Sequence, residues 1–246
     1  MSRRCVFYAC ALCATALCVA CSSSSGHPDQ DSAVVRPDQV LDFNTLYTQN
    51  CAGCHGPNGK GGAAIALGDP TFLAIADDDV IRKTASNGVR GALMPAFAKS
   101  AGGMLTDQQI NAIVHGIRTW ARPELLANSP PPPYTAQPPG DAHRGEAVYG
   151  TYCASCHGPN GAGGEKASSI VNGSYLALVS DQYLRITVIV GRPELGAPDW
   201  RNDVPGRPMS SQEVSDVVAW LSAQRPMFSV KPYLSSSAEH GAGESQ

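Results

Sequence analysis

The sequence predicts an all-α chain made of two tandem copies of one unit, joined by a Pro-rich linker. Three observations carry that expectation. First, Cys51-Ala-Gly-Cys54-His55-Gly-Pro-Asn-Gly59 recurs as Cys153-Ala-Ser-Cys156-His157-Gly-Pro-Asn-Gly161, offset by 102. The offset drifts to 103 where Ile81 and Gly88 match Leu184 and Gly191. It reaches 104 where Leu105 to Ile110 match Met209 to Val214, so two small gaps separate the copies of a duplicated unit. Second, Thr106 with Gln109 and Ser210 with Glu213 are capping-box pairs. Behind them Ile110, Ile113, Val114, Ile117 and Val214, Val217, Val218, Leu221 each line one helix face. Third, nothing alternates at the strand period.

In chain order, residues 1–21 read as a signal peptide. Arg3 and Arg4 form its charged start, Val6 to Ala20 its apolar stretch, and small polar residues come next. Its end, Cys18-Val19-Ala20-Cys21, resembles a bacterial lipobox although Leu is usual where Cys18 stands. That resemblance implies lipidation at Cys21, with ordinary cleavage nearby as the alternative. Residues 22–36 are a polar tether, and the first copy spans 37–127. Residues 128–140 hold the proline run, a semi-rigid spacer of polyproline II character. The second copy spans 141–226, and 227–246 form a polar tail. Within each copy a helix leads into the cysteine motif (38–50 and 142–152), and another begins near Asp77 or Asp181, acids suited to a positive helix end. Phe43 and Gly116 stand where Gly145 and Trp220 stand in the second copy. A large-for-small exchange of that kind conserves volume if the first and last helices cross there.

Nine cysteines are present. Cys5, Cys10, Cys13 and Cys18 leave with the signal, and Cys21 takes the lipid, so only Cys51, Cys54, Cys153 and Cys156 remain. No pair is left over for a disulfide in an oxidising compartment. The remaining chain has 16 basic and 21 acidic residues, a net charge of −5, and so lacks the basic footprint of a nucleic-acid binder. Past the leader no apolar run is long enough to span a bilayer.

Cys-x-x-Cys-His is the attachment signature of c-type haem. Two thiols one helical turn apart add to the two vinyl groups on one porphyrin edge, and the adjacent His becomes the proximal iron ligand. A zinc site would not call for a His after each cysteine pair, and a thioredoxin-like dithiol expects a βαβ setting. The expected cofactors are two haem c, attached through Cys51, Cys54, Cys153 and Cys156, with His55 and His157 on iron.

On these motifs both halves resemble class I cytochrome c domains, and the whole resembles tandem dihaem c-type cytochromes. The resemblance implies two cytochrome c-like haem domains, each with a Met ligand from a loop before the last helix, usually followed by Pro. Met94-Pro95-Ala96-Phe97 fits in the first copy; its rival Met104 lies too near the last helix. In the second copy the counted position falls on Ala197, which cannot bind iron. Met209 is the nearby thioether, but its repeat partner is Leu105, a place for an apolar residue stapling the helix start. Met209 is thus either a core residue or the axial ligand, with His143 and Met227 as other sources.

The resemblance implies electron transfer in a respiratory chain on the periplasmic side of a bacterial membrane, with the protein held there by its lipid. Expected partners are a respiratory oxidase, a quinol-oxidising complex or a periplasmic dehydrogenase. An open position at haem 2 would instead make a haem enzyme or a small-ligand sensor. Tyr47 and Tyr149 are expected to pack at the helix crossing. His115 is expected to be structural, and Trp200 and Arg201 to meet either a haem propionate or plain surface. No nucleophile triad, P-loop, dinucleotide fingerprint or catalytic carboxylate pair is present.

Overall fold

Each half starts with a helix that runs straight into its Cys-x-x-Cys-His turn. The computed structural model describes residues 35–226 apart from Gly91, Ala127 and Asp203. The leader with Cys21, most of the tether, and the tail with Met227 lie outside the described residues. Of the leading unit, Met1–Val40, the described part holds a 3-10 turn at Pro37–Gln39, with Arg36 and Asp38 3.8 Å apart.

The second unit, Leu41–Gln246, holds both copies. The first contributes α1 (Phe43–Asn50), α2 (Ala52–His55), α3 (Pro70–Ile75), α4 (Asp78–Asn87) and α5 (Asp107–Arg118). The second repeats them as α6 (Ala142–Tyr152), α7 (Ala154–His157), α8 (Gly173–Leu178), α9 (Asp181–Val190) and α10 (Ser211–Ala223). Among the described residues no strand forms, only isolated β-bridges.

Caps set the helix starts. Asp42, Asp69, Asp77, Asp141, Asn172 and Ser180 each accept from a first-turn backbone N–H, and both expected capping boxes close completely. Each such cap is worth about 1 kcal/mol. The first helix starts at Phe43 rather than near residue 38, because Val40 and Asp42 are extended and Asp42 caps the turn that Phe43 opens. The short helices α3 and α8 are additions to the expected set.

The expected crossing is present. A Cβ on Gly116 would come within 2.0 Å of the Phe43 ring, so the ring lies directly on that glycine. In the second half a Cβ on Gly145 would meet the Asp216 carbonyl at 2.0 Å and Trp220 Cβ at 2.7 Å. Tyr47 and Tyr149 pack at these crossings as expected. Tyr47 sits edge-on to Trp120 at 5.0 Å, and Tyr149 stacks on Trp220 at 4.3 Å.

The second crossing carries a polar clamp. The Asp216 carboxylate, 4% exposed, accepts from Asp141 N at 2.8 Å, from Arg144 Nε and Nη2 at 2.9 Å, and from Gln212 Nε2 at 2.8 Å. Burial alone would push this carboxyl up; Arg144 and the two amide donors outweigh it and hold it below the ordinary carboxylate range. A depressed folded-state value stabilises the fold above the ordinary carboxylate pKa, and that stability is lost as pH falls through the depressed value. Asp216→Asn should therefore melt at lower temperature than wild type at neutral pH. The two melting curves should converge once the pH falls below the depressed Asp216 value. Equal melting temperatures at pH 7 would assign the clamp no net stability.

The start of the Pro-rich linker is held against the second half. Arg185 on α9, 2% exposed, donates to Pro133 O from Nε (3.0 Å) and Nη2 (2.9 Å), and to Tyr134 O from Nε (3.2 Å). It also reaches Ser215 Oγ and Ser211 Oγ at 3.0 and 3.3 Å. Gln182 Nε2 donates to Tyr134 O at 2.8 Å. A buried guanidinium thus collects two successive linker carbonyls, those of Pro133 and Tyr134. The halves also share apolar contacts. Leu126 belongs to the buried cluster of Tyr149, Tyr152, Ile189, Trp200, Met209, Val214 and Val217, and Ile75 packs against it.

Candidate functional site

The two attachment turns are built alike. Helix α1 hands over to α2 at Cys51 and α6 to α7 at Cys153, placing two thiols and a His on one turn of each short helix. None of these four cysteines is paired in a disulfide. Burial, and then the neighbouring Cys54, push the Cys51 thiol up to about 11. Among the described residues no group of three or more His, Cys, Asp or Glu could hold a bare metal ion.

The imidazoles are oriented for iron. His55 Nδ1 lies 2.8 Å from Ile65 O, and His157 Nδ1 lies 2.8 Å from Ser168 O. A carbonyl can only accept, so each Nδ1 carries the proton and each Nε2 keeps its lone pair for a metal. Burial also pushes the His55 pKa down, favouring the neutral ring that ligates. The glycine after each His has a positive φ, 77° at Gly56 and 78° at Gly158, which turns the chain back under the ring. Tyr47 Oη donates to Gly56 O at 2.9 Å and Tyr149 Oη to Gly158 O, so each crossing tyrosine also anchors its attachment turn. The tyrosines' place four residues ahead of the first motif cysteine was the visible signal; the bond to the turn was not.

The two ligand loops share a closing bond, a glycine contact and the bond into the last helix, while the second adds a return bond from Ala197 N to Arg192 O. Val89 N donates to Met94 O at 2.9 Å, and Arg192 N to Ala197 O at 2.9 Å. A Cβ on Gly88 (φ 66°) would strike Pro95 C and Ala96 N; one on Gly191 (φ 71°) would strike Pro198 C and Asp199 N. Leu105 N donates to Phe97 O and Met209 N to Trp200 O, both at 2.8 Å. Ala197 thus occupies the place of Met94, and Met209 that of Leu105. Met209 is 2% exposed, within the cluster of Tyr152, Ile189, Trp200 and Val214, whereas Met94 is half-buried.

The remaining candidates lie elsewhere. Met104 is 81% exposed, and His115 and His143 are exposed on helix surfaces. Trp200 is buried. Arg201 lies 4.8 Å over its ring and forms a 2.5 Å ion pair with Asp199, so this arginine already has a carboxylate partner. Among the described residues no helix is long and apolar enough to cross a membrane.

Paired attachment turns, each followed by its own ligand loop in an all-α fold, define a tandem c-type cytochrome carrying two haem c. The chain belongs to the family described as cytochrome C oxidase, cbb3-type, subunit III, whose model matches residues 38–115 and 140–221, one segment for each half. It is 30% identical over 128 residues to the Cbb3-type cytochrome c oxidase subunit FixP of Sinorhizobium medicae (strain WSM419); the alignment covers 48% of this chain and 39% of that relative. A chain of the Kuenenia stuttgartiensis reducing HAO-like protein complex aligns at a TM-score of 0.45 and 17% identity, over 75% of this chain and 96% of that one.

Proposed function

We propose that this protein is a dihaem electron relay on the periplasmic side of a bacterial membrane, with haem domains at residues 37–127 and 141–226. His55 and Met94 ligate haem 1. His157 ligates haem 2, whose loop offers no thioether, and Met209 serves the core. The observation that carries this reading is the matched loop geometry, with Met94 and Ala197 closed by the same backbone bond. When bound, the haems supply the one-electron chemistry. The chain's own task is to hold each imidazole in its ligating tautomer and to shape the opposite face.

A thioether opposite imidazole favours Fe(II), so haem 1 is the higher-potential centre. A respiratory oxidase is the preferred acceptor, in keeping with the family's description, and a quinol-oxidising complex or periplasmic dehydrogenase is the donor. The acidic chain implies docking to a basic partner surface that weakens with salt. Cys21 carries the lipid that tethers the protein, a reading supported by the leader sequence alone. Ala197 also favours a second role for haem 2, the binding of a small neutral ligand, as in a haem enzyme or sensor.

Two measurements test this. The mature mass should exceed that of the polypeptide by two haems. Titrating the reduced protein with CO should then load one equivalent per chain, at haem 2 only. No added haem sinks the whole reading. Two bound CO sink the Met94 assignment, and none sinks the open position at haem 2.

A further inference from the structure

Arg192 joins the two halves through its side chain. It is the first residue after the Gly191 cap of α9, and its backbone closes the second ligand loop through the paired bonds with Ala197 at 2.9 and 3.0 Å. Its side chain, 19% exposed, leaves that loop and crosses to the first half. Nη2 donates to Gly62 O at 2.7 Å, Nη1 to Ala63 O at 3.3 Å, and Nε to Glu194 Oε1 at 2.5 Å.

Gly62 is no ordinary surface carbonyl. A Cβ there would come within 2.2 Å of Cys54 O and 2.5 Å of both His55 C and Gly56 N, so the stretch of chain at 62–64 lies flat on the first attachment turn. Ala64 N donates to Cys54 O at 2.9 Å, fixing it there. One side chain therefore spans from the second ligand loop to the turn bearing Cys54 and His55. The repeat partner of Arg192 is Val89, whose side chain has no donor, so the first loop cannot return the bridge.

We infer that Arg192 is the positioning residue for electron passage between the two haems: it locks the second ligand loop to the first attachment turn and fixes the inter-haem distance. The inference rests on the dihaem reading above. The step itself makes and breaks no bond; one electron leaves haem 2, which is oxidised, and reduces haem 1. Its rate falls exponentially with separation, and two domains in one chain move relative to each other unless their interface is held. A planar guanidinium gripping two successive carbonyls with a carboxylate behind it is a directional hold that an ammonium cannot copy.

The test uses the full, haem-loaded chain. In Arg192→Met, mass and haem absorbance should still report two haems with wild-type individual spectra. Inter-haem equilibration after pulsed photoreduction should slow by roughly tenfold to a hundredfold, the scale of effect that ångström-sized misplacement has on a positioned reaction. Amide exchange at residues 62–64 should quicken. Arg192→Lys should fall between the two. Wild-type equilibration in Arg192→Met overturns the inference. If that variant loads poorly, Arg192→Lys decides instead, a wild-type rate again overturning it. A wild-type chain that carries fewer than two haems defeats the dihaem reading, a different failure.

Discussion

Ala197→Met should abolish CO binding at haem 2 and raise its reduction potential by on the order of 0.1 V, a modest part of the ~0.8 V range that axial ligands command. The expectation comes from backbone equivalence. Arg192 N to Ala197 O matches Val89 N to Met94 O at the same 2.9 Å, and Gly191 meets Pro198 as Gly88 meets Pro95. Ala197 is half-buried, like Met94. Three added heavy atoms would carry a sulfur to where Met94 offers its own. Haem 1 should keep its potential, since its loop is untouched. CO titration with a potentiometric titration checks both parts. If CO binding and the potential stay at wild-type values, the two loops are not equivalent in the loaded protein and the ligand of haem 2 comes from elsewhere.

The residues behind that prediction differ in how openly the sequence displays them. The attachment turns are legible because a short motif carries its whole meaning locally, two thiols and an imidazole within five residues. Ala197 was legible through duplication, since a second copy of the same loop supplies the ruler by which a missing Met is noticed. The Phe43/Gly116 exchange was legible for the same reason, a paired change at two aligned positions. Arg192 and Arg185 were not. Arg185 aligns with Arg82, which lies on the surface with Asp79 3.9 Å away, while its counterpart is buried beneath the linker. One residue type at one repeat position has two fates, set by where a distant segment happens to pass. No local pattern encodes that. The helices α3 and α8 escaped for another reason: at six residues each they are too short to establish a period, and only the caps Asp69 and Asn172 mark them.

Arg185→Ala should be among the most damaging single changes outside the attachment turns. The side chain is buried without a carboxylate beside its hydrogen-bond partners, so burial lowers its pKa, and its charge is stabilised only by carbonyl and hydroxyl oxygens. Truncation leaves Pro133 O without both its guanidinium donors and opens a cavity the size of an arginine between α9, α10 and the linker. Pro133 is exposed and its carbonyl can turn to water, so the cost is chiefly the lost packing, roughly 2–4 kcal/mol. Arg185→Met separates the two contributions. It refills most of the volume and removes an expensive desolvated charge, so it should recover the packing part while the linker carbonyls still lack the guanidinium. Thermal melts of the three proteins give the energies. Limited proteolysis within 130–139 reads the linker directly and should become faster in both variants, because Gln182 to Tyr134 O and Gln212 to Pro139 O are then the remaining ties. Wild-type resistance in Arg185→Ala would mean that the prolines hold their course without the guanidinium, leaving Arg185 a packing residue alone.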